Sequence, residues 1–197
     1  MRYDTARKLQ TRQRVLQVAA RAIRSDGPTR VGVAGVMREA GLTHGGFYAH
    51  FGSKDELVAA AIGQMFDDGL ERLRQSLDGR NAADGLAAYF RRYLSAAHRD
   101  APGHGCPIAA LAGEVPRLDP AARDAFADGS RQLTQALADS LSRLGHDEAS
   151  TLATSVLAEL VGTLAMARCE SDVVRSDALL AAARRQLGRR LNLEIDA

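Results

Sequence analysis

Apolar residues recur at three- and four-residue intervals along most of the chain, which is the spacing of one face of an α-helix. The first such pattern runs to about Ser25, where Asp26-Gly27-Pro28 ends it. Its inward positions are Val15, Val18, Ala19, Ala22 and Ile23. A second and shorter pattern begins after Gly32. The N-terminal part of the chain is therefore predicted to start with two helices.

The rest of the chain continues in the same way. One apolar stripe from Lys54 to Leu77 is long enough to connect two parts of a protein. Later patterns predict helices over 82–98, 108–116, from Asp119-Pro120 to Gly145, over 147–169 and over 176–191. Ala and Leu are abundant, while runs of β-branched residues are scarce. The sequence therefore predicts an all-α fold.

The stretch between residues 33 and 57 carries turn signals at short intervals. Gly41 suits the positive φ that stops the preceding helix. Thr43 is a preferred N-cap for a second short helix, which Gly52 ends. Ser53-Lys54-Asp55-Glu56 is typical of a capping box that opens the long helix. A helix, a glycine turn and a second short helix form the helix-turn-helix arrangement, which reads the DNA major groove.

The run AGLTHGGFYAHFGSKDEL within this stretch resembles the DNA-binding signature of the TetR/AcrR family of bacterial transcriptional regulators. Nine signature positions match in register, namely Ala40, Gly41, Leu42, Thr43, Gly45, Phe47, Tyr48, Phe51 and Lys54. The resemblance implies an N-terminal three-helix DNA-binding domain over residues 9–69, with its helix-turn-helix at about 32–51. It also implies a C-terminal helical domain over residues 70–197 for ligand sensing and dimerisation.

The resemblance further implies how the molecule would work. The last two helices would pair with their copies in a second chain as a four-helix bundle. Such a two-fold dimer places its reading helices about 34–36 Å apart, so the operator is expected to be an inverted repeat. A small-molecule inducer, expected to be hydrophobic, would bind within the fourth to eighth helices. The helix over 54–77 would transmit its binding as a pendulum-like shift of the DNA-reading heads. The family expectation is a repressor that its inducer releases from DNA.

Positive charge is concentrated near the N-terminus, although the net charge of the chain is only +2. Residues 1–57 hold ten Lys and Arg against five Asp and Glu, whereas residues 58–197 hold sixteen against nineteen. The first fourteen residues contribute Arg2, Arg7, Lys8, Arg12 and Arg14 against Asp4. A flexible basic arm would neutralise phosphates or enter a minor groove, while a frayed terminus has the same composition. This distribution favours double-stranded DNA as the partner.

Polar residues before the second helix are candidate phosphate contacts. Thr29 and Arg30 lie near a helix N-terminus, where backbone N–H groups bind anions. Gly32 occupies the position of the usual Ser or Thr cap of the family and has no hydroxyl, so Thr29 or Arg30 would supply that contact. Met37 replaces a customary Ala, so the packing of the second and third helices has to make room for it.

The second short helix carries further candidates. Thr43 would cap this helix and offer its hydroxyl and N–H to a phosphate. His44 is placed to hydrogen-bond a base edge or a phosphate, and Gly45 and Gly46 let the backbone approach the groove floor. The alternative for His44 is an idle surface histidine. With so little direct readout, DNA shape is expected to contribute to specificity.

The family resemblance assigns three more phosphate contacts. It implies that Tyr48 and His50 contact phosphates and that Lys54 closes onto one. The alternative for His50 is a partly buried scaffold residue. Phe47 and Phe51 are four residues apart and are expected to anchor the short helix in the core.

Four aromatic residues are candidates for the wall of a ligand pocket. They are Phe66, Tyr89, Phe90 and Tyr93. Three of the four fall close together in a chain with only nine aromatic residues. The alternative for each of them is plain core packing.

Cys106 follows a Gly/Pro-rich loop and precedes Pro107, which suits the first position of a helix. A thiol at a helix N-terminus, with His104 two residues away, is expected to favour the reactive thiolate. Branches of the family with Gly-Cys at this point respond to reactive compounds, so Cys106 is a candidate redox or electrophile sensor. The alternative is a small capping and packing residue. Cys169 lies late in an Ala/Leu-rich helix and is expected to be buried and inert.

Other classes of site receive little support. His98, His104 and Cys106 are possible metal ligands, but no fourth ligand lies at a typical spacing, so no metal is predicted. No cofactor motif, phosphate loop or nucleophile motif occurs, so the chain is not predicted to be an enzyme. Two Cys, no apolar run of eighteen uncharged residues and no apolar segment behind the N-terminus indicate a cytoplasmic protein without a membrane span.

Three functional hypotheses follow. The first is a homodimeric repressor released by a small molecule. The second is a thiol-based sensor in which oxidation or alkylation of Cys106 replaces reversible binding. The third is an activator or architectural protein that has no ligand.

Overall fold

The computed structural model describes residues 2–195, with side chains from residue 6 onward. This part of the chain contains nine α-helices and no β-strand. The helices are α1 (Arg2–Asp26), α2 (Val33–Glu39), α3 (Lys54–Leu77), α4 (Ala82–Tyr93), α5 (Ala96–Asp100), α6 (Pro107–Leu111), α7 (Pro120–Ser142), α8 (Ala149–Cys169) and α9 (Val173–Leu191). Short 3₁₀ segments cover His44–Ala49, Pro102–His104 and Val115–Arg117. The predicted all-α fold is confirmed.

The N-terminal arm differs from its prediction. Helix α1 already begins at Arg2, so Arg7, Lys8 and Arg12 are helical rather than part of a flexible arm. The run before Val15 contains neither Gly nor Pro and is rich in good helix formers, which explains the longer helix. Residue 1 and the side chains of residues 2–5 lie outside the described part of the chain.

The helix predicted over 82–98 is also interrupted. Leu94 leaves the helical conformation, with φ −94° and ψ 45°, and α4 ends before it. Ser95 then caps α5, because its Oγ accepts a hydrogen bond from the His98 N–H at 3.2 Å. The apolar periodicity continues across this break, so the sequence pattern alone did not show it.

The start of α3 follows the predicted capping box. Ser53 Oγ accepts a hydrogen bond from the Glu56 N–H at 3.0 Å, and the Glu56 carboxylate accepts one from the Gly52 N–H at 2.7 Å. Before it, Gly41 has a φ of +70° and ends the α2 turn. These hydrogen bonds tie the residues just before α3 to its first turn.

Helix α3 joins two hydrophobic cores. The first core includes Phe47, Phe51 and Phe66 and also receives residues from α6 and α7. The second begins at Leu70 and contains the buried side chains of α4, α7, α8 and α9. The two halves are in direct contact, because α7 lies along α3. At Gly129 of α7 a Cβ would come within 2.2 Å of the Phe66 ring, so only glycine permits this approach.

Helix α8 leaves one apolar face uncovered in the single chain. The length and composition of α8 alone would suit a membrane span, but the core helices of soluble proteins have the same length and composition. Here α8 contacts α7 and α9, and Met166 on its outer face is 60% exposed. Cys169 is exposed, so the prediction that it is buried was wrong. It lies about 200° around the helix from the buried Ala167.

Candidate DNA-binding surface and ligand cavity

The 3₁₀ segment His44–Ala49, called the recognition segment below, follows the turn at Gly41. It was predicted as a short α-helix capped by the Thr43 side chain. Instead the Gly46 N–H donates to the Thr43 carbonyl at 3.1 Å, and the Thr43 hydroxyl makes no capping hydrogen bond. That cap prediction was wrong, and the Thr43 side chain is exposed. His44 is exposed as well.

Aromatic packing holds the recognition segment on the first core. Phe47 and Phe51 are each 2% exposed, and their rings stack with centroids 5.7 Å apart. The Arg12 guanidinium lies 4.8 Å above the Phe51 ring. Tyr48 points outward and is 70% exposed, with its ring edge against Phe47. Buried rings therefore anchor the segment, while the residues between them remain accessible.

The two glycines of the recognition segment differ in their surroundings. Gly45 is exposed, and a Cβ built on it would meet no atom within 4 Å. Gly46 is half-buried, and its Cβ would lie 3.7 Å from Thr43 Oγ1 and 3.8 Å from Met37 Cε. Gly46 therefore lies over the larger Met37 side chain, whereas Gly45 presents bare backbone to solvent.

A second group of candidate contacts lies beside the start of α3. Lys54 Nζ donates a hydrogen bond to the Thr29 carbonyl at 3.3 Å, which joins the α1–α2 loop to α3. Thr29 and Arg30 are exposed next to it. Gly32 precedes α2 as its N-cap and supplies no side-chain hydrogen bond.

Helix α1 brings positive charge close to His50, a position that the helix-turn-helix motif alone did not predict. Burial lowers the pKa of His50, and the positive charges of Lys8 and Arg12 lower it further. His50 is half-buried, and its Nδ1 has no hydrogen-bond partner among the described residues. The turn after the recognition segment therefore lies against two basic side chains of α1. Their spacing of four residues on one helix was a signal that could have predicted this patch.

A cavity of about 220 Å³ opens in the C-terminal half. Its lining residues come from α3 to α7 and include Arg72, Tyr89, Arg92, Tyr93, His98, Ala101, His104, Cys106 and Leu133. Of the four predicted pocket aromatics, Tyr89 and Tyr93 line it. Phe66 and Phe90 do not, because both are fully buried in the cores, and Phe66 packs edge-on against Phe126.

The surroundings of Cys106 differ from those predicted. Cys106 is 5% exposed and is the N-cap of α6, a helix of only five residues. Its neighbour is His98 rather than His104, which is exposed: the Cys106 N–H donates to His98 Nε2 at 3.0 Å. The predicted activation of Cys106 by His104 and by a helix N-terminus therefore has less support in the structure. No group of three or more His, Cys, Asp or Glu suited to a metal ion occurs in the described part of the chain.

His98 is held as a neutral imidazole. Its Nδ1 lies 2.7 Å from the Tyr93 carbonyl, so Nδ1–H donates there while Nε2 accepts from Cys106. Burial lowers the pKa of His98 to about 4. The hydrogen bond to the Tyr93 carbonyl raises this pKa, and the positive charge of Arg168 lowers it. Arg168 of α8 donates to the carbonyls of His98 and Arg99, each at 3.2 Å. The cavity wall is therefore tied to α8.

Arg24 connects the cavity to the N-terminal helices. Its guanidinium is buried, pairs with Asp68 at 3.1 Å, and donates to the carbonyls of Met65 at 3.1 Å and Gly103 at 3.3 Å. A Cβ on Gly103 would lie 2.7 Å from Ser25 Oγ, so the segment rests directly on α1. Ala101 and His104, on either side of Gly103 in sequence, line the cavity.

Comparisons with known proteins cover both halves of the chain. Residues 15–61 match the model for bacterial regulatory proteins of the tetR family. Residues 82–185 match the model for the C-terminal domain of LmrA/YxaF-like transcriptional regulators. No curated protein matches the sequence.

Solved structures of similar fold include three bacterial regulators. The reduced form of NemR from E. coli has a TM-score of 0.79 and 23% identity, over 91% of this chain and 96% of that one. A TetR regulator from Chloroflexus aurantiacus has a TM-score of 0.78 and 23% identity, over 95% and 96%. A TetR-family regulator from Agrobacterium tumefaciens has a TM-score of 0.77 and 22% identity, over 93% and 98%. At this identity the likeness concerns the fold.

The two family models therefore cover both the part of the chain with the recognition segment and the part with the cavity. The chain belongs to the TetR family of bacterial transcriptional regulators.

Proposed function

We propose that this regulator is a homodimeric repressor that occupies an inverted-repeat operator and leaves it when a small molecule enters the cavity. The observation that carries the proposal is the hydrogen bond from Arg24 to the Gly103 carbonyl. It joins the loop that lines the cavity to the helix that supports the DNA-reading surface. A change of cavity shape therefore has a short physical route to the recognition segment.

The proposed DNA contacts form one exposed surface. His44, the Gly45 backbone and the Thr43 hydroxyl would face the major groove, where base edges are read. Phosphate contacts, which fix the register, are assigned to Thr29, Arg30, Tyr48, His50 and Lys54, and Gly46 would let the backbone approach the groove beside Gly45. Within this arrangement residues 9–69 would form the DNA-binding domain and residues 70–197 the ligand-sensing and dimerisation domain.

Dimerisation is proposed through α8 and α9. The uncovered face of α8 and the start of α9 expose large apolar side chains, with Met166 at 60%, Val173 at 62% and Val174 at 78%. An apolar face of this kind suits burial in a two-fold dimer, whose two DNA-reading segments would then meet successive major-groove faces. A second copy of the chain would cover the apolar face of α8, so no membrane is needed to explain it. We propose accordingly that the protein is a cytoplasmic regulator and not an enzyme.

Ligand binding would shift the population between two arrangements of the DNA-binding domains in the dimer, one that fits the operator and one that does not. The bound ligand would move the segment Pro102–His104, and Arg24 would pass the displacement to α1 and α3. Only a ligand that binds the two arrangements with different affinity shifts the equilibrium between them.

The direct test is binding of the purified protein to the intergenic DNA upstream of its own gene, with and without small molecules. Salt concentration has to be varied, because phosphate contacts make the affinity salt-dependent. A protected inverted repeat, no longer protected after ligand addition, is the expected result. Binding that no small molecule alters would favour an activator or architectural protein, and no sequence-specific binding would contradict the proposal.

A second candidate function is a thiol sensor, which the position of Cys106 in the cavity wall favours. An electrophile with a conjugated double bond would form a bond from its β-carbon to Sγ, and the thiol proton would end on its α-carbon. Cys106→Ser separates the two functions. It should abolish release by electrophiles if the thiol is the trigger and preserve release by a non-covalent ligand.

A further inference from the structure

The cavity is lined by two arginines and, among the described residues, by no carboxylate. Arg72 of α3 and Arg92 of α4 lie in its wall. Neither guanidinium takes part in an ion pair in the described part of the chain. Arg92 donates to the Arg72 carbonyl at 2.7 Å, which fixes the two residues side by side.

These two cations repel each other, although Arg92 is exposed and only Arg72 is half-buried. Burial lowers the pKa of Arg92, and the charge of Arg72 lowers it further. Both charges also act on Tyr89 and His98, on the walls of the same cavity. A pair of like charges without a counter-ion favours an anion between or beside them, since its charge would relieve the repulsion.

The cavity also offers a neutral hydrogen-bond donor without an acceptor. The Tyr93 hydroxyl is buried and has no hydrogen-bond partner among the described residues. Burial and the neighbouring Cys106 raise the pKa of Tyr93, so the phenol keeps its proton. The hydroxyl lies beside Cys106 and adds a buried polar group to the cavity wall.

The rest of the wall is apolar and small. Tyr89, Leu133, Pro107 and Ala101 contribute ring and aliphatic surface. The volume of about 220 Å³ lies below the range of about 300–1,000 Å³ typical of pockets for drug-sized ligands. The space therefore suits a compact apolar body that carries one anionic group.

We propose that the cavity binds a small amphipathic carboxylic acid, whose carboxylate pairs with Arg72 and Arg92 and whose apolar body lies against Tyr89, Tyr93 and Leu133. The planar guanidinium matches a carboxylate through two parallel N–H···O bonds, and the carboxylate is a compact anion that suits a cavity of about 220 Å³. The inference rests on the proposed ligand-controlled function, because it names the chemistry of the ligand at that same site.

The test uses the full-length protein and two matched probe pairs, benzoate with benzamide and trans-cinnamate with trans-cinnamamide. Each pair has nearly the same shape and differs in charge. Calorimetric titration at fixed salt should show that an acid binds about tenfold or more tightly than its amide. In the double variant Arg72→Gln and Arg92→Gln this preference should disappear, while binding of the amide changes little.

Arg74→Gln is the matched control, because Arg74 lies on α3 but does not line the cavity. It should keep the preference for the acid. Equal binding of acid and amide by the wild-type protein, or binding of neither, would overturn the inference. So would a preference for the acid that survives the double variant. Circular dichroism confirms that each variant is folded.

Release of the protein from operator DNA is measured separately from acid binding. The two measurements distinguish failure of the carboxylate site from failure of the proposed ligand-controlled repression. If acids bind through the arginines but leave the operator complex intact, the carboxylate site stands and the proposed induction fails. If the operator complex responds to other compounds while no acid binds, the regulator function stands and the carboxylate inference fails.

Discussion

The proposed DNA-binding surface and the ligand cavity are built in opposite ways. The surface takes its candidate contacts from the short stretch between Thr29 and Lys54, held by the buried rings of Phe47 and Phe51. The cavity takes its lining from elements as far apart as Gly69 and Leu133, joined by loops and side-chain hydrogen bonds. A local core holds one shape, whereas a wall made of several elements can change as they shift.

The contrast gives each region a different task. A surface that fits DNA has to be preorganised, because disorder in it would reduce the affinity. A cavity that controls this surface has to deform and to transmit the deformation. Arg24 of α1 links the two regions, because it bonds to Met65 and Asp68 of α3 and to the Gly103 carbonyl beside the cavity.

Removing the Arg24 guanidinium should have the largest effect. Arg24→Met would remove the cation beside Asp68 and the hydrogen bonds from Arg24 to the Met65 and Gly103 carbonyls. Asp68 would keep its hydrogen bond from Gln64 at 2.9 Å, so the free energy of unfolding should fall by about 2–3 kcal/mol. This is below the full cost of breaking a buried pair, because Asp68 is partly exposed. Urea unfolding at fixed protein concentration measures it.

The matched control is Arg21→Met on the same helix. Arg21 pairs with Glu39 at the surface, where both side chains are about half exposed, so stability should fall by less than about 1 kcal/mol. Equal destabilisation in the two variants would contradict the role assigned to Arg24. Arg24→Lys keeps a charge for Asp68 but should weaken the response of DNA binding to the cavity ligand.

Acid should destabilise the protein through His98. The pKa of His98 in the folded protein is about 4, below its ordinary value of 6.5. The neutral His98 therefore contributes its full stabilisation of the folded state above pH 6.5, and this stabilisation is lost as the pH falls toward 4. The decrease in stability between pH 7 and 4.5 should be on the order of 2 kcal/mol. His98→Gln should flatten this part of the pH dependence of urea unfolding, whereas His104→Gln, at an exposed site, should leave it unchanged.

The DNA-binding surface should be sensitive to a single methyl group at Gly45. Gly45→Ala meets no atom of the protein, so stability should hold while operator affinity falls about tenfold, because the added Cβ blocks close approach of the backbone. Gly46→Ala points toward Met37 and should alter affinity much less. Fluorescence anisotropy with operator DNA measures both, and the reverse order would refute the orientation proposed for the segment.

The smallest effect is expected at Lys54. Lys54→Met should weaken binding to all sequences alike and reduce the slope of log affinity against log salt by about 0.9 for each phosphate that the variant no longer neutralises. A change confined to one base position, with the salt slope unchanged, would show that Lys54 does not bind a phosphate.

The sequence predicted the contiguous parts of this fold well. Gly41, Ser53 and the apolar stripe of α3 act through neighbours in the chain, so their turn, cap and helix could be predicted before the structure. The 3₁₀ form of the recognition segment could not, because two adjacent glycines leave its helical type to the packing of Phe47 and Phe51.

The cavity was predicted only in part. Tyr89 and Tyr93 line it, but periodicity could not separate them from Phe90, which faces the core. Arg72 and Arg92 are ordinary charged helix residues in sequence, and only tertiary contacts bring them together. Arg24 did leave a signal, because it lies four residues after the buried Ala20 on the apolar face of α1.

The measurement that tests the central claim most directly fills the cavity without knowledge of the natural ligand. In a Cys169→Ser background, N-ethylmaleimide would attach to Cys106, the thiol in the cavity wall, and mass spectrometry counts the adduct. The account predicts that operator affinity falls at least about tenfold when Cys106 is modified. It also predicts no change when Cys106→Ser protein is treated in the same way. A protein fully modified at Cys106 that binds its operator as tightly as before would contradict the account.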